Sequence, residues 1–310
     1  MAAITAAMVK ELREITGAGM MDCKKALNAT EGDMDKAVEF LREKGLAAAA
    51  KKAGRVAAEG LVMIAAESDK KAAIVEVNSE TDFVAKNADF QAYVKDVANQ
   101  VLNSEAADLD AFMAEPWSKE PSKTVAEELS SRISIIGENL GIRRFERVQT
   151  ENGCVVGYIH GGGRIGVLAV AECQTVNEEV KEALKNIAMQ IAALRPQYVC
   201  RDEISDEFIE KEKEILMAAA KNEKPDADEK RLMGMVNGRL NKELKEFCLL
   251  DQVYVRAEDG KQTVAQYLEQ VSKSIGTDLA VKKFVRFETG EGIEKKEENF
   301  AEEVAKQMNQ

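Results

Sequence analysis

The sequence predicts an α+β protein, and three observations carry that expectation. Two stretches repeat one order, an apolar hairpin followed by an amphipathic helix. The chain opens instead with helical spacing alone, and a stretch in its second half, 202–250, carries apolar residues three and four apart over two long arms. A polar turn, Asn222-Glu223-Lys224-Pro225, separates those arms and cannot stay helical.

Taken in order, Thr5 caps a helix with Met8, Val9, Leu12 and Ile15 on one side, stopped at Thr16-Gly17. A short helix over 22–27 follows, and Gly32-Asp33 opens a third, with Ala37, Val38 and Leu41 inward and Gly45 as its stop. Between the first two, Gly17-Ala18-Gly19-Met20-Met21 puts paired methionines on a glycine-flexed turn, as core filler or as an adaptable apolar contact. Residues 47–55, rich in Ala and Lys, read as a helical linker.

The first hairpin joins 60–65 to 73–77 through Ser68-Asp69-Lys70, and the helix after it carries Phe90, Val94, Val97, Ala98 and Val101. Asp82 stands where strand gives way to helix, a natural N-cap. Phe83 beside it either staples that helix to the core or projects as a ring next to a carboxylate, aimed at a partner. A polar stretch, 104–123, contains Pro116 and Pro121; Thr124 then caps a helix through Leu129, Ile133 and Ile136 that ends at Gly137-Glu138-Asn139.

The second hairpin pairs 154–159 with 166–171, and its helix bears Val180, Leu184, Ile187, Ala188 and Ile191. The two arms of 202–250 form an antiparallel helical hairpin inserted into this lobe, either a solvated arm or a surface for a partner or a second copy. The lobe resumes with a strand-like 253–255, a helix over 264–275 and a strand over 279–287. Thr289-Gly290-Glu291-Gly292 breaks the pattern, and a C-terminal helix carries Phe300, Val304 and Met308. The expected domains are 1–54 (three helices), 55–141 (first lobe), 142–200 with 251–290 (second lobe), 201–250 (hairpin) and 291–310 (terminal helix).

Composition narrows the function. Asp and Glu outnumber Lys and Arg by 55 to 43, a net charge of −12, which leaves little excess cation to displace counterions from a nucleic acid. Five scattered cysteines without a Cys-x-x-Cys suit reduced thiols in the cytoplasm. A single histidine, His160, excludes a His-rich metal site, and no apolar run reaches membrane-spanning length. Gly161-Gly162-Gly163-Arg164-Ile165-Gly166 matches a dinucleotide fingerprint, but 167–171 reads as a strand where a helix N-terminus is required, so the glycines are a hairpin turn. No P-loop occurs, and no carboxylate stands among Ser, Cys or His neighbours as covalent catalysis requires. No covalent chemistry, cofactor or metal is expected.

Several segments in fixed order then resemble the bacterial elongation factor Ts family, the guanine-nucleotide exchange factors for elongation factor Tu. They are Val9-Lys10-Glu11-Leu12-Arg13, the run from Thr16 through Leu27, Glu80-Thr81-Asp82-Phe83-Val84-Ala85, Ile136-Gly137-Glu138-Asn139, Ile142-Arg143-Arg144, the run from His160 through Val167, and Arg286-Phe287 with Gly290-Glu291-Gly292-Ile293-Glu294-Lys295. Each is weakly specific alone; their order along the whole chain is very specific. The resemblance implies a UBA-like leading module and a cytoplasmic protein that binds elongation factor Tu–GDP and promotes GDP release without covalent chemistry. It implies no direct binding of nucleotide, nucleic acid or membrane. Thr81, Asp82, Phe83 and Val84 would meet the nucleotide-binding domain, the ring wedging near the magnesium and phosphate site, with Ile136 and Gly137 lining the same contact. Arg13, Met20 and Met21 would touch another helix of that domain, His160 a different domain, and the terminal helix would add a further contact. The rival reading is a translation protein acting on RNA or the ribosome without exchange activity, against which the acidic charge speaks.

Overall fold

The computed structural model describes residues 4–294, so the expected helix around Phe300, Val304 and Met308 lies outside the described residues. Three helices lead: α1 (Ala6–Thr16), α2 (Met20–Ala29) and α3 (Met34–Lys52). Thr5 caps the first, Gly17 closes it in the left-handed region, and Asp33 caps the third. Their common core is Val9, Leu12, Cys23, Ala26, Leu27 and Ala37. Two expectations fail here. Ile15 faces solvent. Gly45 does not stop α3, which continues to Lys52 through the stretch read as a linker. It is buried against the backbone of Ser130 on a later helix, and that packing offsets the roughly 1 kcal/mol that glycine costs inside a helix.

The first lobe contains β1 (Glu59–Ser68), β2 (Lys71–Ser79), α4 (Asp82–Ala85), α5 (Ala88–Asn103), α6 (Leu109–Ala114), the short pair β3 (Pro116–Trp117) and β4 (Glu120–Thr124), α7 (Val125–Ile136) and β5 (Gly141–Gln149). The polar stretch 104–123 thus holds structure of its own, a helix and a small hairpin. The sheet order is β1-β2-β5, antiparallel throughout. This moves the expected boundary at 142: the strand there pairs with β2, Lys71 opposite Gln149, and sends Ile142 and Phe145 into the first lobe's own core.

The second lobe contains β6 (Cys154–His160), β7 (Ile165–Cys173), α8 (Glu178–Leu194), the helical hairpin α9 (Asp206–Glu223) and α10 (Glu229–Phe247), α11 (Val264–Ile275) and β8 (Leu279–Glu288), with sheet order β6-β7-β8. Residues 253–255 form only an isolated bridge, Val253 to Thr263, rather than a strand. Leu216 and Ala220 of α9 pack against Leu232, Val236, Leu240 and Leu244 of α10.

The two sheets stack face to face. Val62, Ala72, Ile74 and Val148 of the first meet Val155, Leu168, Val170, Val285 and Phe287 of the second, with α5 outside one sheet and α8 outside the other. The central strands β2 and β7 are covered on both faces, which is why they read as unbroken apolar runs. Gly166 permits the close approach: a Cβ there would lie 2.4 Å from Val62 Cγ1. Glu76 adds a polar tie. Fully buried on β2, its carboxylate accepts from Arg143 Nη1 (3.0 Å), Arg144 Nε (2.6 Å), Asn78 Nδ2 (3.0 Å) and the N–H of Gly290 (2.8 Å), just after β8. Burial would raise its pKa, but the Gly290 amide, the Asn78 side chain and the two arginines outweigh that and hold it below the usual glutamate value.

Candidate partner-binding site

The site is built on the connection between β2 and α5. Thr81, not Asp82, caps α4: its backbone is extended and its hydroxyl accepts from Val84 N–H at 3.5 Å. The chain then breaks at Lys86, and Asn87 caps α5 separately by accepting from the N–H groups of Asp89 and Phe90. Two caps within seven residues make the helix start twice, and the first start, a single turn, stands out from the lobe.

On that turn the side chains diverge. Val84 and Ala85 turn inward onto the first lobe's core. Phe83 turns outward and is 79% exposed, the most exposed large apolar side chain among the described residues. The staple reading of Phe83 therefore fails, because the ring packs into no core. Asp82 is exposed beside it and pairs with Lys86 Nζ at 2.6 Å, and that hydrogen bond holds its carboxyl below the usual aspartate value. Lys86 also lies 5.8 Å from the Phe83 ring centroid.

The loop after α7 meets this turn from below. Gly137 closes α7 in the left-handed region, and Ile136 rests partly buried on the same core as Val84. Glu138 accepts from Thr81 N–H at 3.0 Å and from its hydroxyl at 2.6 Å. Glu80 accepts from Asn139 N–H at 2.5 Å. The structure thus brings Thr81, Asp82, Phe83 and Val84 together with Ile136 and Gly137. Sequence reasoning quoted Glu80 and Glu138 as motif residues without a role; the signal was their place beside a cap residue and a left-handed glycine.

The leading module borders the same helix. α3 packs on α7, and Ile135, exposed, sits where a Cβ on Gly17 would come within 3.3 Å of its Cδ1. Met20 and Met21 open α2 at 59% and 63% exposure, so they are surface residues and not core filler, and Arg13 is exposed on α1. His160 stands apart on the second lobe. It is exposed at the end of β6, its Nδ1 2.9 Å from the Tyr158 hydroxyl. The turn beyond it places Gly161, Gly162 and Gly163 at positive φ, and Gly163 O accepts from Val62 N–H at 2.7 Å, so the turn joins two strands and packs on the first lobe. Among the described residues no His/Cys/Asp/Glu group could hold a metal ion, and no helix is long and apolar enough to cross a membrane.

Comparison with known proteins places this geometry in a family. A family model described as elongation factor TS matches residues 80–291, from Glu80 at the foot of the tip to Glu291 beside the Glu76 tie. The elongation factor Ts of Clostridioides difficile (strain 630) is 56% identical over 99% of this chain and 100% of its own length. That of Clostridium novyi (strain NT) is 52% identical over 99% of both chains, and that of Clostridium perfringens (strain 13 / Type A) 55% over 98% of both. A match running past the tip, the Glu138 loop, the glycine turn and the second sheet, with relatives aligned over nearly the full length, shows that the chain belongs to the elongation factor Ts family of translation elongation factors.

Proposed function

We propose that this chain binds elongation factor Tu carrying GDP and promotes release of GDP and its exchange for GTP by disturbing the magnesium and phosphate site, acting in the cytoplasm and performing no covalent step. The observation that carries the reading is Phe83, an aromatic ring held in water on a capped and braced helical turn. Leaving such a ring exposed forgoes about 1.5–3 kcal/mol of burial, which a partner's groove can recover.

Magnitudes decide how the work is divided. A nucleotide bound with nanomolar affinity is held by about 12 kcal/mol. One phenylalanine supplies only about 1.5–3 kcal/mol, so Phe83 cannot eject it unaided. A specific interface of roughly 1,200–2,000 Å² is needed to hold the ring in place. Ile136, Gly137, Arg13, Met20, Met21 and His160 are the surface residues assigned to it, with Asp82 placing a negative charge where it disfavours phosphate. Linkage makes the process reversible: by whatever factor this protein weakens GDP, GDP weakens this protein, and incoming GTP displaces it without an energy source.

The test is release of fluorescent GDP from elongation factor Tu at saturating concentrations of this protein. Phe83→Ala is expected to slow the maximal rate about ten- to a hundredfold, the kinetic equivalent of the lost burial, with an unchanged melting temperature because the ring contributes to no core. A wild-type protein that leaves the release rate unaltered rejects the reading.

A further inference from the structure

Beneath Phe83 the loop after β2 and the loop after α7 exchange carboxylates. Glu138 of the second loop accepts from the backbone and hydroxyl of Thr81 in the first, at 3.0 and 2.6 Å. Glu80 of the first accepts from the Asn139 N–H of the second at 2.5 Å. The Asn139 side chain donates in turn to Arg55 O at 2.8 Å, and the Arg55 guanidinium lies 3.5 Å from Glu80, so the segment after α3 is tied to the same knot.

The second lobe is an internal control. Gly276-Thr277-Asp278 occupies the place of Gly137-Glu138-Asn139, each turn running from a left-handed cap glycine to a buried leucine, Leu279 or Leu140. That turn closes with no carboxylate at Thr277, whose hydroxyl is buried without a hydrogen-bond partner. The turn itself therefore does not require Glu138. The carboxylate is directed at the residue that caps the tip, and a single helical turn is too short to fix its own direction.

We infer that Glu138 and Glu80 are positioning residues of the exchange site: their reciprocal clamp locks the Thr81 cap, so that load on Phe83 passes into the scaffold instead of bending the loop. The inference rests on the exchange reading. It predicts a split that a general loss of structure does not produce, because a ring displaced by about 1 Å loses effect after docking while the rest of the interface still binds.

Release of fluorescent GDP from elongation factor Tu is measured against concentration of the full chain for wild type, Glu138→Ala, Phe83→Ala and the double variant. Glu138→Ala is expected to lower the maximal rate by about tenfold or more while the half-saturating concentration moves less than about threefold. In the Phe83→Ala background it should have no further effect. If Glu138→Ala unfolds, Glu138→Gln, which keeps one acceptor, takes its place in the same cycle. A maximal rate equal to wild type, or an equal loss with and without Phe83, overturns the clamp. Wild-type protein that fails to accelerate release overturns the exchange reading itself, a separate and recognisable result.

Discussion

The two lobes are one design used twice, and one of the places where they differ is the turn that carries Phe83. Gly60 and Gly153 open their sheets at φ +124° and +126°, each where a Cβ would run into a carbonyl of the neighbouring strand, Val77 or Ala171. Asn87 and Asn177 cap the outer helices. Thirteen residues on, Gln100 and Gln190 are buried and each grips a passing extended segment: Gln100 bonds Pro116 O and Ser118 N–H, and Gln190 bonds Val253 O and Val255 N–H. Thr124 and Thr263 form capping boxes on twelve-residue helices that end at Gly137 and Gly276. Against this background β2 and α5 are joined by 80–87, whereas β7 and α8 are joined by 174–177. The surplus of four residues has the length of α4, the turn that carries Asp82 and Phe83. The scaffold can therefore be held constant by packing while one loop is free to project a ring.

Removing that difference should have the largest effect. Replacing 80–87 with Gln174-Thr175-Val176-Asn177 is expected to retain the fold, since a capping asparagine is kept, and to slow GDP release from elongation factor Tu by at least the roughly ten- to hundredfold expected of Phe83→Ala. Retained acceleration would place the function outside the lobe's extra turn.

Next come the shared glycines. Gly60→Ala puts a Cβ 2.2 Å from Val77 O, and Gly153→Ala puts one 2.0 Å from Ala171 O, both at positive φ. Each should lower stability by about 3 kcal/mol or more, by similar amounts, in urea unfolding. A loss confined to one lobe would break the equivalence.

The smallest effect concerns a feature of the first lobe alone, since Val170 stands where Glu76 does in the second, each just before a shift in strand register. The folded pKa of Glu76 lies below the ordinary 4.5, so its contribution is complete above that value and is lost as pH falls through the lower folded pKa. Glu76→Gln should cost about 1.5–3 kcal/mol at pH 7, and the gap from wild type should close as pH falls below the ordinary glutamate value of 4.5 and through the lower folded one, read as urea midpoints.

Much of the fold was legible because local chemistry and tertiary demand agreed. Thr5, Asp33, Thr124, Gly17 and Gly137 were readable as caps, and both hairpins stood out as apolar runs around polar or glycine turns. The duplication was visible as pattern, though Thr124-Val125-Ala126 and Thr263-Val264-Ala265 state it in residues. Gly45 misled because its local meaning, a stop, is overridden by contact with a helix 85 residues away at Ser130. Residues from 142 onward were given to the second lobe for the same reason: strand partnership is a long-range choice that no local signal encodes.

By itself the sequence determined most of the helices and both hairpins, that their order repeats, and which short motifs tie the chain to its family. Those are properties of adjacent residues, set by φ preference, side-chain capping and apolar period. Only the tertiary structure decided that Phe83 faces water while Val84, one residue on, faces the core, and that Glu138 reaches across 57 residues to hold the cap between strand and tip. Burial and hydrogen-bond partners depend on what lies opposite in space, and that is settled only when the sheets stack and the loops at their ends are brought face to face.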